Sequence, residues 1–273
     1  MNALTRTQPI EGYLKVPPAS TVDGDVATID ATGVYYRQLN EAIRAAFDAG
    51  AGTVRVTGVN GQRYIGTGIS GEDRRIEIDG TPGNDLGMFM DGPTVVVRGN
   101  TQDGVGNTMN AGTVHVHGDA GDVLGYGMRG GKVLVKGDVG YRVGIHMKAY
   151  ENLMPVVVCG GKARDFFGEY MAGGMLVLLG MHTQFPDQPL VGAFCGTGMH
   201  GGTIFVRGKV DAGKCGKEVG VMPADEDDMA ILTPVLREWC EAFGDPLDDV
   251  LSVPFSKLAP ASHRPYGKLY APM

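Results

Sequence analysis

Read as apolar and polar positions, residues 50–210 repeat one short phrase: an alternating run closed by glycine. The runs are TVRVTG to Gly58, RIEIDG to Gly80, VVVRG to Gly99, VHVHG to Gly118, VLVKG to Gly137, VVVCG to Gly160, LVLLG to Gly180 and IFVRG to Gly208. Alternation with period two marks strands with one buried face. Counted back from the closing glycine, positions −2 and −4 read Val56/Val54, Ile78/Ile76, Val97/Val95, Val116/Val114, Val135/Val133, Val158/Val156, Leu178/Leu176 and Val206/Ile204. All are aliphatic and most are β-branched, which suits a pleated, half-buried surface.

A second column lies between the runs. Six methionines follow a glycine at one offset: Gly87-x-x-Met90, Gly106-x-x-Met109, Gly125-x-x-Met128, Gly144-x-x-Met147, Gly168-x-x-Met171 and Gly196-x-x-Met199. Their spacings are 19, 19, 19, 24 and 28 residues. A 19-residue period is too short for a strand–helix–strand unit, which takes about 30 residues. It falls just below the leucine-rich-repeat range, and the L-x-x-L-x-L pattern is absent. It accommodates two or three short strands with glycine at the bends, where φ > 0 costs glycine little. The expected fold is mainly β: a right-handed parallel β-helix of about six to eight coils, with successive coils about 4.8 Å apart. The Met column then runs up the interior as adaptable filling. The longer coils place insertions at 149–155 and 181–189, both polar and Pro-containing, on the outside.

The flanks read differently. Residues 34–49 carry Tyr36, Leu39, Ile43, Ala46 and Phe47 on one helical face, with Gly50 after them, and predict a helix that closes the N-terminal end of the solenoid. Residues 225–243 predict a helix or helix pair, with Thr233 capping a helix that begins at Pro234 and Leu236, Trp239, Cys240 and Phe243 as its apolar face. PFSKLAP (254–260) and RPYGKLY (264–270) read as extended docking segments. The expected division is 1–50 as N-terminal segment and capping helix, 51–220 as β-helix, and 221–273 as C-terminal helix and tail.

Composition agrees with a turn-rich solenoid: 44 of 273 residues are Gly and 14 are Met, against an ordinary glycine share of about 7%. The net charge of −7 argues against general nucleic-acid binding. No apolar leader opens the chain and no long apolar window spans a membrane. The four cysteines, Cys159, Cys195, Cys215 and Cys240, include no C-x-x-C pair and read as reduced thiols of a cytoplasmic protein.

Few residues suggest chemistry. Three G-x-G-x-x-G matches begin at Gly66, Gly125 and Gly196. A dinucleotide site needs the third glycine to open a helix, and here each match runs toward another strand. His115-x-His117 lacks a third ligand tied to it by sequence, and His146, His182 and His200 are scattered. The outward columns say more. Position −1 reads Thr57, Asp79, Arg98, His117, Lys136, Cys159, Leu179 and Arg207, so Arg98, His117 and Lys136 stack as a basic ladder suited to an anionic ligand. Position −3 reads Arg55, Glu77, Val96, His115, Leu134, Val157, Val177 and Phe205. Its apolar stretch from Leu134 to Phe205 needs a cover, either the C-terminal segment or another chain.

The phrase GDAGDVLGYGMRGGKVLVKG (118–137) resembles the GXGXG β-helix domain of glutamate synthase large subunits and of the β-helix subunits of formylmethanofuran dehydrogenases. The helix before the repeat and the RPYGKLY ending most resemble the β-helix subunit of the bacterial formyltransferase/hydrolase complex. That resemblance implies a non-catalytic structural member of a hetero-oligomer of one-carbon metabolism. The complex transfers formyl from formyl-tetrahydromethanopterin to a methanofuran-type carrier and hydrolyses it to formate. Hydrolase-like, formyltransferase-like and dehydrogenase-B-like partner chains would hold the carrier and any zinc, molybdenum or tungsten. The alternatives are a spacer in a glutamate-synthase-like enzyme or in a Mo/W formylmethanofuran dehydrogenase. The resemblance carries over no catalytic or metal-binding residue; a polyglutamate tail on the carrier is the anion that Arg98, His117 and Lys136 would guide.

Overall fold

The computed structural model describes residue 18 and residues 20–261. A hairpin of β1 (Ser20–Asp23) and β2 (Val26–Asp30) opens the fold, and helix α1 (Tyr36–Asp48) follows. Then come β3 (Thr53–Asn60), β4 (Arg75–Thr81), β5 (Asp91–Val97), β6 (Ala111–Val116), β7 (Lys132–Val135), β8 (Val156–Cys159), β9 (Ala172–Leu178) and β10 (Gly201–Arg207). From β2 to β10 each strand pairs in parallel with the next. The chain is thus a β-solenoid. β11 (Val219–Pro223), α2 (Glu226–Phe243), α3 (Leu247–Leu251) and β12 (Phe255–Pro260) complete it. β12 runs antiparallel between β10 and β11, so one reversed strand ends the parallel ladder and β11, in the direction of the coil strands, forms the edge.

The Met column lies where its spacing predicts. Met90, Met109, Met128, Met147, Met171 and Met199 are all fully buried. A partner column sits four residues earlier in each coil: Leu86, Val105, Leu124, Val143, Phe167 and Cys195, equally buried. Ile65 and Ile69 stand in these two columns in the coil next to α1. On α1, Leu39, Ile43 and Phe47 are buried against this same core and close its N-terminal end. Arg44 and Asn40 hydrogen-bond the backbone carbonyls of Thr67 and Arg63, which seats the helix.

Glycine serves two distinct purposes. At Gly87, Gly106, Gly125 and Gly144 the backbone is left-handed, with φ near +70°. At Gly118, Gly121, Gly137 and Gly140 it is not, and the requirement is close approach. A Cβ on Gly137 would lie 2.0 Å from Asp119 Oδ1, and one on Gly140 2.0 Å from Asp122 Oδ1. Those carboxylates accept backbone N–H groups of the next coil: Asp138 N to Asp119 Oδ1 at 2.8 Å and Tyr141 N to Asp122 Oδ1 at 2.9 Å. The G-D pairs are cross-coil hydrogen-bond ladders, with the glycine making room for the preceding coil's aspartate.

Two sequence expectations need correction. Counting from Gly160 misplaces β8 by one residue. Val133 pairs with Val157 and Val135 with Cys159, so Val157 and Cys159 face the core while Val156 and Val158 face outward. The glycine equivalent to Gly137 is Gly161, whose N–H donates to the Gly137 carbonyl at 2.8 Å. In the outward columns Gly160 therefore replaces Cys159, and Val158 replaces Val157. Both faces of β8 are apolar because α2 covers the outer one, so the alternation that fixes register elsewhere vanishes.

The second correction concerns α2. It is one helix through Pro234, not a helix starting there. Asp225 is the N-cap and forms a capping box with Asp228. Thr233 Oγ1 donates to the Met229 carbonyl at 2.7 Å instead of capping. Three acidic residues in the first turn and Gly244 in left-handed conformation after the last fit the helix polarity.

The two insertions form outer loops as expected. Residues 151–154 are exposed, and 184–189 likewise. The second loop is pinned: Lys162 Nζ donates to the carbonyls of Phe185, Pro186 and Gln188, and Gln184 reaches Asp119. PFSKLAP supplies β12, whereas RPYGKLY lies outside the described residues, as do residues 1–17. Among the described residues no helix is long and apolar enough to cross a membrane.

Candidate interaction surfaces of the solenoid

The outer face of the sheet has two parts. From β7 onward Leu134, Val156, Val158, Met175, Val177, Leu179 and Phe205 form an apolar strip. Leu232, Leu236, Trp239, Cys240 and Phe243 of α2 pack onto it, so the cover comes from this chain's own C-terminal segment. Trp239 is fully buried and donates Nε1–H to the Val135 carbonyl at 2.9 Å. Gly160 admits it: a Cβ there would lie 2.5 Å from Trp239 Cζ2.

The basic ladder stands at the end of this helix. Because Val97, Val116 and Val135 are in register, Arg98, His117 and Lys136 follow them on adjacent coils. Arg98 Nη1 lies 3.5 Å from His117 Nε2. The His117 ring meets Phe243 edge-on at 5.1 Å, and Lys136 Nζ donates to the Phe243 carbonyl at 3.3 Å. Lys136 thereby answers the electronegative C-terminus of α2 with one of its three protons. Burial, then the charges of Arg98 and Lys136, hold His117 below its ordinary value of 6.5. The ladder is therefore two cations flanking a largely neutral imidazole, with Arg98 the exposed member.

His115, two residues back, is pressed toward Phe243 at 6.4 Å, and burial holds it below 6.5 despite Glu238 nearby. It is a packing residue beside α2. Among the described residues no group of three or more His, Cys, Asp or Glu side chains is placed to hold a metal. The three glycine fingerprints lead toward β4, β7 and β10, with no helix to receive a pyrophosphate.

The opposite, turn side of the coils carries a feature that strand-based reading passes over. The residue before each Met is left-handed: Phe89, Thr108, His146 and Tyr170 have φ between 52° and 55°. So is the residue five before each Met, as at Val123, Arg142, Phe166 and Phe194. Their N–H groups reach across coils, for example Val123 to the Tyr141 carbonyl at 2.8 Å and Tyr170 to the Thr197 carbonyl at 2.9 Å. These bonds offset a left-handed cost of about 1–2 kcal/mol per residue. The side chains point out and stack: His146 on Tyr170 at 5.3 Å, Phe166 on Phe194 at 5.0 Å, and the Arg142 guanidinium over Phe166 at 4.4 Å. Phe89, Tyr126, Tyr141, Tyr170 and Phe194 remain exposed. Aligned on Met, position −1 reads Phe89, Thr108, Gly127, His146, Tyr170 and Gly198, and position −5 reads Asp85, Gly104, Val123, Arg142, Phe166 and Phe194.

Inward Gly and Met columns, cross-coil Asp ladders and capped ends define a β-solenoid whose distinguishing chemistry lies on its outward columns. The chain belongs to the GXGXG motif family, which matches residues 46–257. It is 47% identical over 250 residues to a relative from Methanocaldococcus jannaschii named Uncharacterized protein MJ1350, covering 89% of this chain and 96% of that one.

Proposed function

We propose that this chain is a non-catalytic β-helix subunit of a hetero-oligomeric complex of one-carbon metabolism. In that complex a formyl group passes from formyl-tetrahydromethanopterin to a methanofuran-type carrier and is hydrolysed to formate on partner chains. The observation that carries this reading is the use to which the repeated residues are put. The Gly, Met and Asp columns serve coil stacking, and Phe89, Tyr126, Tyr141, Tyr170 and Phe194 of the turn side are left facing solvent. Exposed Tyr, Phe and Arg are the residue types that anchor protein interfaces.

The decisive experiment is purification from the native cell through a tag on this chain. Hydrolase-like and formyltransferase-like chains in fixed ratio support the reading. A co-purifying glutaminase domain replaces it with the glutamate-synthase-like spacer, and a molybdenum or tungsten dehydrogenase with the redox complex. A folded monomer alone overturns it. Within the reading, Arg98, His117 and Lys136 guide an anionic polyglutamate tail of the carrier. Replacing all three by Ala or Gln should weaken carrier binding by the intact complex; unchanged affinity at low and high salt refutes the ladder's role.

A further inference from the structure

The last coil holds two thiols side by side. Cys195 is fully buried in the column that the other coils fill with Ile, Val, Leu or Phe. Cys215 follows a short 3₁₀ turn (Ala212–Lys214) and is partly exposed. The two residues form a parallel bridge. Cys195 N–H donates to the Lys214 carbonyl at 2.9 Å, and Gly216 N–H donates to the Cys195 carbonyl at 2.8 Å. Paired strands lie about 4.8 Å apart, inside the Cα separation of roughly 4.4–6.8 Å that a disulfide spans. Cys215 also lines an open groove with Phe194, Thr197, Gly213, Lys217 and Glu218. The arrangement therefore has a partly exposed sulfur, a buried sulfur beside it and room for a small reagent.

We propose that Cys195 and Cys215 are a dithiol site that reacts with small disulfides and closes into a cross-coil disulfide. The groove admits the reagent, Cys215 attacks, and Cys195 resolves. In the first step the Cys215 thiolate bonds to one sulfur of oxidised glutathione, and one glutathione leaves as the thiolate. In the second, Cys195 loses its proton to solvent and its sulfur attacks that of Cys215, expelling the second glutathione. Two protein thiols are oxidised and one disulfide is reduced to two thiols. The neighbouring Cys195 lowers Cys215, while the neighbouring Cys215 and burial raise Cys195. That asymmetry matches attacker and resolver. Closure fastens the segment before β11 to the body of the solenoid.

The test uses the full chain, oxidised glutathione, and mass spectrometry after alkylation. Wild type should lose two hydrogens and yield a peptide linking Cys195 to Cys215. Cys195→Ser should retain one glutathionyl group on Cys215. Cys215→Ser should leave Cys195 unmodified. Before oxidation, alkylation of Cys215 should outpace that of buried Cys240 by about tenfold or more. Cys215 reacting no faster than Cys240, or a mixed disulfide that persists in wild type, overturns the proposal.

Discussion

Gly137→Ala is the sharpest probe of how the coils are held together. Gly137 has no left-handed φ, so alanine is conformationally acceptable there. The obstacle is Asp119 Oδ1, which the new Cβ would meet at 2.0 Å, with the Gly118 carbonyl oxygen at 3.0 Å. The carboxylate must swing away, and Asp138 N–H then loses its 2.8 Å acceptor. A hydrogen bond to a charged group contributes about 1.5–3 kcal/mol. For a chain of this size that is roughly 3–10 °C in Tm. Urea unfolding can follow the loss through Trp239, the single tryptophan, which is bonded to the carbonyl of Val135 two residues away. Asp119→Ala alone also breaks the bond, together with the Gln184 contact. In that background Gly137→Ala has no carboxylate to displace and keeps only the close Gly118 carbonyl, so it should cost much less and the two changes should be sub-additive. Equal cost of Gly137→Ala in both backgrounds refutes the ladder argument. Gly68→Ala is the counterpart: nothing lies within 4 Å of its Cβ, but φ is +60°, so about 1 kcal/mol is expected whatever the neighbours.

Other outcomes follow from the same geometry. Trp239→Ala should cost about 3–5 kcal/mol and expose the strip under α2, read by circular dichroism and by hydrophobic-dye binding. Met128→Ala should cost about 2–5 kcal/mol, whereas Met128→Leu should stay under about 1.5 kcal/mol, measured by urea midpoints. His115 and His117 sit below 6.5 when folded, chiefly through burial. The unfolded chain therefore binds more protons as pH falls, so their contribution is complete above about pH 6.5 and is lost below it. His115→Gln should flatten that slope in unfolding curves at pH 5–8. Tyr126→Ser with Tyr170→Ser should leave Tm within about 2 °C while reducing recovery of partner chains in the tagged purification.

The sequence disclosed most where one face was buried and the other wet. Val54/Val56 through Val133/Val135 took their places from alternation alone, because exposed Arg55 and half-exposed neighbours such as Glu77 and His115 marked the other face. VVVC in β8 carried no such contrast, since α2 buries its outer side, and the register slipped by one. Pro234 misled because a proline usually opens a helix, while the stronger start signal, Asp225 with Asp228, lay nine residues earlier. The turn-side column escaped because its side chains follow no period of 2 or 3.6. What they share is a left-handed backbone at two positions of a 19-residue repeat. The ladder Arg98–His117–Lys136 was legible as a stack, but its attachment to the end of α2 was not, since Phe243 is more than 100 residues from each of them.

The two insertions show why the columns tolerate length changes at all. The 24-residue Met spacing adds five residues between Met147 and β8. The 28-residue spacing adds nine between β9 and Val191. Neither falls inside a strand or inside the six residues that contain the left-handed turns, and on both sides the pairing resumes: Lys132 with Val156, and Ala163 with Val191. An insertion within a strand would flip every later side chain to the other face. One within the turn would put β-branched or aromatic residues into φ > 0 without their cross-coil acceptors. Corners are therefore where this solenoid can change its surface without changing its core. Placing the nine-residue insert of the second corner into the first, between Met147 and Pro155, should preserve far-ultraviolet circular dichroism and shift Tm by only a few degrees, since doubling a loop costs about 0.6 kcal/mol. The same nine residues placed between Gly144 and Met147 should abolish cooperative unfolding; survival of the sharp transition there would refute the argument that the turn cannot change length.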